Sequence, residues 1–209
     1  MWNIEGRKVK IRKMLREDID KMQQWGRHSD PLFFHYNFPM LTKKEGDFWY
    51  KTKAKLVQKK SYVIENEDGK IVGYLSIRNI KWFRGESELG IVLDPDEMNK
   101  GYGQDAIKTF LAYYFRDLGM KVLHLRVAIF NQRASTCYQR CGFEMVCEEE
   151  LEFEDQDTEI LRKDVHRDLH HLFTIRDGKI WATYKRMWIT KEKFLEQANR
   201  VSTKTTVNC

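Results

Sequence analysis

The stretch from Glu86 to Ile129 restricts the fold more than any other part of the chain. Glu86–Leu93 reads as a strand, and Asp94-Pro95 ends it, because proline has no N–H to give a ladder. The loop Met98-Asn99-Lys100-Gly101-Tyr102-Gly103-Gln104 then places two glycines two residues apart. From Tyr102 to Leu118 the apolar residues Ile107, Phe110, Leu111, Tyr114, Phe115 and Leu118 recur on one helical stripe, and Lys121–Ile129 returns to strand. A strand end, a glycine loop and a helix start in that order leave first-turn amides free at the positive end of the helix dipole. Glycines there let an anion such as a pyrophosphate come close to the backbone. The string is not a P-loop, since no G-x4-G-K-[ST] occurs, and it lacks the third glycine of the dinucleotide fingerprint.

The remaining pattern places this unit in a larger sheet. Val9–Arg12 alternates as a strand, and Arg16–Trp25 reads as a helix with Glu17 and Asp18 in its first turn. Thr42 and Glu45 cap a second helix over Lys43–Gln58. Ser61–Glu65 and Lys70–Asn79 form a hairpin across Glu67-Asp68-Gly69. A short helix over Gln132–Cys141 leads through Gly142-Phe143 into another strand. Arg162–His170 reads as a helix, and Asp177-Gly178 separates the β-rich runs Leu172–Ile175 and Lys179–Ile189. The order β-α-α-β-β-β-α-β-α-β-β is an α/β (α+β) plan, a mixed and mostly antiparallel sheet of about seven strands flanked by helices. The reading is one domain over residues 1–200, with 154–171 as an insertion and 201–209 as a polar tail.

Charge and cysteine content narrow the function. The net charge is +6, yet nine acids and no Lys or Arg lie between Glu144 and Glu159; elsewhere 37 cations face 22 acids, leaving +15. Such a chain presents a basic surface to an anion and an acidic rim to a cation. No helix-turn-helix, zinc-finger or RNP-type string occurs, so a nucleic-acid partner is not expected. Cys137, Cys141, Cys147 and Cys209 lack a disulfide framework, and a lone C-x3-C pair is poor zinc spacing, so no metal is expected. Without a membrane-length apolar run or a signal-like start, the chain reads as cytoplasmic, with no membrane partner.

After the Lys121–Ile129 strand comes Asn131-Gln132-Arg133-Ala134-Ser135-Thr136-Cys137-Tyr138-Gln139-Arg140-Cys141-Gly142-Phe143. Together with the glycine loop and with Arg12, Asp18, Trp25, Asp30-Pro31 and Glu88-Leu89-Gly90, this string resembles the GNAT superfamily of acetyl-CoA-dependent N-acetyltransferases. The likeness covers roughly Lys8 to Cys147 and is strongest to the branch of Rim-type ribosomal-protein acetyltransferases and spermidine acetyltransferases. One departure stands out: the loop position that usually holds Arg or Gln is Met98, which cannot hydrogen-bond a phosphate, so Lys100 and Arg133 are expected to supply charge there.

The resemblance implies a GNAT fold, acetyl-CoA as co-substrate, and direct transfer of acetyl to a primary amine. Its cofactor residues are Ile91, Leu93, Met98, Asn99, Lys100, Gly101, Tyr102, Gly103, Gln104, Asn131, Arg133, Ala134 and Tyr138. Leu93 N–H stands as oxyanion donor, Tyr138 as general acid toward the sulfur, and Glu88 as general base with Glu86 second. Phe33, Tyr36, Trp82 and Glu86 are placed at the acceptor, which is a protein N-terminus, a polyamine or an aminoglycoside. A homodimer is compatible with the resemblance. The competing reading is a GNAT-fold sensor or scaffold that binds acetyl-CoA without turnover.

Overall fold

The computed structural model describes residues 2–54, 58–156, 167 and 170–206. Strands β1 (Asn3–Glu5) and β2 (Val9–Lys13) precede helix α1 (Arg16–Met22), and a 3-10 turn at Pro31–Tyr36 leads to α2 (Lys43–Ala54). There follow β3 (Lys60–Asn66), β4 (Ile71–Lys81), β5 (Glu86–Leu93), α3 (Tyr102–Ala112), β6 (Val122–Ala128) and α4 (Gln132–Arg140). The chain closes with β7 (Glu144–Glu152), β8 (Phe173–Arg176), β9 (Lys179–Thr190) and α5 (Lys191–Thr206). The sheet runs β1-β2-β3-β4-β5-β6-β9-β7, with β8 paired to β9. Among the described strands β5 and β6 are the parallel pair, and the others are antiparallel.

The mixed, mostly antiparallel sheet expected from the sequence is present, with nine strands among the described residues instead of about seven. Asn3–Glu5 is too short to signal itself, yet it pairs with Lys10–Arg12. The expected polar tail from residue 201 is helical as far as Thr206, because α5 continues from β9 without a break. The helix expected at Arg162–His170, like most of the 154–171 insertion, falls outside the described residues.

Two helical layers cover the sheet. On one face the α3 stripe buries Ala106, Ile107, Phe110 and Leu111 against Ile64, Leu75 and Leu123. A π-helical turn at Tyr113–Asp117 then buries Tyr114 and Phe115, so the apolar stripe read from the sequence spans two helix types. Tyr114 is fully buried, and its hydroxyl is satisfied: it donates to the Val122 carbonyl at 2.8 Å and shares a 2.8 Å bond with Ser87. On the other face α1 sets Ile19 and Met22 beside Trp25, Phe38 and Val63. Arg12 fastens α1 to β2 and β3, with two bonds to the Asp18 carboxylate at 2.7 and 2.8 Å and one to Glu65 at 2.9 Å. These early-chain residues hold the scaffold together.

Candidate active site

The site begins where two strands part. β5 pairs with β6 at Glu86–Glu88 against Val122–His124, and no pairing between them follows among the described residues. On its other edge β5 stays bound to β4 as far as Leu93 opposite Gly73. The Asp94 N–H donates to the Val72 carbonyl at 2.9 Å. Backbone groups alternate along an antiparallel ladder, so the N–H groups of Val92 and Gly90 turn toward β4 as well. Those of Leu93 and Ile91 turn the opposite way, into the gap β6 has left. Two amide donors two residues apart thus face a cleft of about 780 Å³.

One end of this cleft suits an anion. Asp94 accepts from Asp96 N–H at 3.1 Å and Gly26 N–H at 3.0 Å, fixing the turn Pro95–Glu97 that leaves β5. Asn99 (φ 65°) and Gly101 (φ 88°) then take left-handed conformations that reverse the chain into α3. At Gly103 a Cβ would lie 3.0 Å from Leu93 Cδ1, so the loop packs this closely on β5 because that residue is glycine. No side chain caps α3, which leaves its first amides available. Arg133 and Arg140 line the same cleft and have no acidic partner among the described residues. Asn131, the N-cap of α4, accepts from Ala134 N–H at 3.1 Å and lies close to the Tyr36 hydroxyl. Loop, amides and arginines together fit a diphosphate on an extended, amide-bearing carrier, as in coenzyme A.

Most residues expected at the cofactor meet here: Ile91, Leu93, Met98, Asn99, Gly101, Gly103, Gln104, Asn131, Arg133, Ala134 and Tyr138 all line the cleft. Two do not. The Lys100 ammonium turns to Glu97 at 2.7 Å, a carboxylate it shares with Lys70, and the Tyr102 ring packs against the core below α3. Arg133 is therefore the member of the expected pair that brings charge to the cleft.

Tyr138 stands near the middle, 9% exposed, its ring edge-on to Phe143 at 5.9 Å. Burial, with Tyr36 and the two cysteines adding to it, pushes its phenol far above the ordinary range, so it is protonated at any working pH. Its hydroxyl has no protein partner among the described residues and is free to donate.

The carboxylates and aromatics expected around the acceptor need correction. Glu88 is not in the cleft wall. Its carboxylate is held by Arg78 at 2.6 Å, Arg126 at 3.0 Å and Asn79 at 3.2 Å. Burial raises its pKa, but the two guanidiniums and the amide outweigh that and leave it below the usual value. A carboxylate so occupied is a poor proton acceptor. Glu86 lies outside the cleft beside Lys81, 3.8 Å away. Trp82 is at the β4–β5 turn, 47% exposed, with the Lys60 ammonium 4.7 Å from its ring centroid. Phe33 packs on Phe130 at 6.0 Å and does not line the cleft. Of the aromatic group, Tyr36 does.

Other lining residues are not among the site residues expected from the sequence, although the acidic run as a whole is expected to suit a cation. Tyr74 and Tyr184 complete a tyrosine wall with Tyr36 and Tyr138. Glu152 and Glu154, from the acidic run, enter beside it. The Glu154 backbone comes close to the Tyr184 hydroxyl, and its charge reaches Tyr36 and Tyr74. His35 lies tilted against Tyr36, ring centroids 3.9 Å apart; burial, helped by His28, holds its pKa at about 4, so it is neutral. On another part of the wall Lys53 and Lys59 stand near Arg78. Burial, with those two cations, lowers Lys59 to about 8. Among the described residues no group of three or more His, Cys, Asp or Glu side chains could hold a metal, and no helix is long and apolar enough to cross a membrane.

Comparison with known proteins agrees with this geometry. The chain is 28% identical over 82 residues to a spermidine N(1)-acetyltransferase of Vibrio cholerae, a match covering 39% of this chain and about half (47%) of that protein. It is 26% identical over 135 residues to the spermidine N(1)-acetyltransferase of Escherichia coli K12, covering 65% and 72% of the two chains. A crystal structure of the Vibrio cholerae spermidine N-acetyltransferase with CoA and spermine superposes with a TM-score of 0.67 at 20% identity, over 90% of this chain and 98% of that one. At that identity the superposition establishes the GNAT fold. The model of the acetyltransferase (GNAT) domain matches residues 8–144, and with the parted strands and glycine loop in place the chain belongs to that family.

Proposed function

We propose that this chain is an acetyl-CoA-dependent N-acetyltransferase whose acceptor is a primary amine of a polyamine, attacked directly while both substrates are bound. The observation that carries the reading is the pair of unpaired N–H groups, Ile91 and Leu93, facing a cleft continuous with the glycine loop. When bound, acetyl-CoA supplies the activated acyl group. Leu93 N–H is the fixed donor to the thioester oxygen as charge develops there, and Ile91 N–H holds the carrier's amide chain. Tyr138 gives its proton to the departing sulfur.

An amine with a pKa near 10.4 is neutral only about once in a few thousand molecules at pH 7, so the acceptor end must take a proton. With Glu88 committed to two arginines, Glu154 is the carboxylate available beside the tyrosines, acting directly or through water. The spermidine acetyltransferases to which the chain is similar support a polyamine, and Glu154 gives its ammonium groups an acidic part of the cleft wall, while Glu152 beside it is paired with Lys179 at 2.7 Å. The reaction belongs to the cytoplasm, where acetyl-CoA and polyamines meet.

The test is thiol release from acetyl-CoA with spermidine, kanamycin or an N-terminal peptide as acceptor. Saturable turnover with spermidine is expected. Turnover with the peptide alone would move the acceptor class, and tight acetyl-CoA binding without turnover on any amine would favour a sensor.

A further inference from the structure

A second cavity, of about 150 Å³, is lined by the paired ends of β5 and β6 together with residues of β4 and β9. Arg126 and Arg186 are direct cross-strand partners in the β6–β9 ladder. Like charges in that relation destabilise a sheet unless something neutralises them. Arg126 is neutralised twice, by Glu149 at 2.6 Å and by Glu88 at 3.0 Å. The Arg186 side chain has neither an ion pair nor a hydrogen bond to any described residue, although its backbone is in the ladder with β6 and β7. Its partner on β7 is the neutral Cys147, at a bulge that shifts the register between Met145 and Cys147.

Two more nitrogen-bearing side chains line the cavity. His124 lies two residues before Arg126 on the same face of β6, and its Nδ1 is buried without a partner. A buried lone pair is tolerated better than a buried unpaired N–H, so the imidazole proton sits on Nε2 and is left as a donor. Lys81 also lines it and reaches Glu86 only at 3.8 Å. Of the two acids in the wall, Glu88 is fully engaged by Arg78, Asn79 and Arg126, and Glu86 faces Lys81. The uncompensated charge is that of Arg186.

We propose that Arg186, His124 and Lys81 form a binding site for a small oxyanion, a phosphate or carboxylate group, separate from the catalytic cleft. The anion sits between Arg186 and Arg126 and satisfies the guanidinium that the protein leaves without an acid. Because Arg126 also lines the catalytic cleft, occupancy is felt there through the Arg126–Glu88–Arg78 chain.

The experiment titrates the whole chain with inorganic phosphate, and in a second arm with malonate, by calorimetry and by thermal melting, each with and without saturating CoA. Saturable binding that persists with CoA present is expected, with a rise in melting temperature. Arg186→Gln should weaken it at least tenfold and, by removing the arginine–arginine repulsion, should melt no lower than the parent without anion. His124→Asn should weaken binding several-fold. The stronger arm identifies the ligand as phosphate- or carboxylate-bearing. Displacement by CoA would place the anion at the glycine loop and overturn the proposal; so would equal affinity in Arg186→Gln, or no saturable binding in either arm. None of these outcomes depends on whether the protein acetylates an amine.

Discussion

Glu88→Gln separates two roles that one glutamate on β5 can have. The side chain is 9% exposed and takes charge-assisted hydrogen bonds from Arg78 at 2.6 Å and Arg126 at 3.0 Å. Glutamine keeps the shape and one acceptor oxygen but loses the charge and turns an NH2 toward one arginine. Each charge-assisted bond contributes on the order of 1.5–3 kcal/mol. The arginines stay about 46% and 36% exposed, so water replaces part of what is lost. A loss of about 2 kcal/mol follows, and for a chain this long that is a fall in melting temperature of about 4–8 °C. The same group sets an acid limit. Its folded pKa is below the unfolded value, so its contribution is full above about pH 4.3 and is lost as pH falls through the folded pKa. The melting difference between parent and variant should therefore shrink below about pH 4. Measured by thiol release well under the melting temperature, kcat should stay within about threefold, and the acid limb of its pH profile should not move. A hundredfold fall in kcat with a flattened acid limb, and no change in melting, would restore Glu88 as the base and refute the reasoning.

Tyr138→Phe removes a hydroxyl that holds nothing in the described fold, so melting should be unchanged while kcat falls about a hundredfold or more; a parental rate at all pH values would exclude it as the acid. Glu154→Gln should lower kcat with spermidine about a hundredfold and leave acetyl-CoA affinity alone; steady-state kinetics showing only a raised spermidine KM, with kcat unchanged, would make Glu154 a wall and not the base. Lys59 carries its charge below about pH 8 and loses it above, so the spermidine KM should fall several-fold between pH 7 and 9. Lys59→Met should already be low at pH 7 and flat in comparison; parallel profiles would disprove the coupling. Gly101→Ala forces an L-residue to φ 88° at a cost on the order of 1–2 kcal/mol, which should weaken acetyl-CoA binding about tenfold in calorimetry.

What the sequence showed depended on how local the determinant was. Glu86–Leu93 read correctly to the residue, because alternation and Asp94-Pro95 set both ends. The glycine loop was legible for the same reason. The partners of Glu88 were not, since Arg78 and Arg126 arrive from the two neighbouring strands at registers no spacing reveals. Glu154 looked like one acid among nine; its place follows from β7 pairing along β9 as far as Glu152 opposite Trp181, a register that no spacing in the sequence reveals. Trp82 and Phe33 misled because an aromatic near a loop reads alike whether it faces a cleft, a turn or another ring. The 3-10 turn at Pro31–Tyr36, which brings Tyr36 to Asn131, has no periodicity to detect.

The account stands on backbone donors left unpaired where β5 and β6 part. An amide-resolved NMR titration with acetyl-CoA reads them directly. Saturable shifts at Ile91 and Leu93, accompanied by Gly101, Gly103 and Gln104 and much smaller at Gly90 and Val92, are the predicted result. Saturation that leaves Ile91 and Leu93 unmoved, or shifts confined to another face of the sheet, would contradict it.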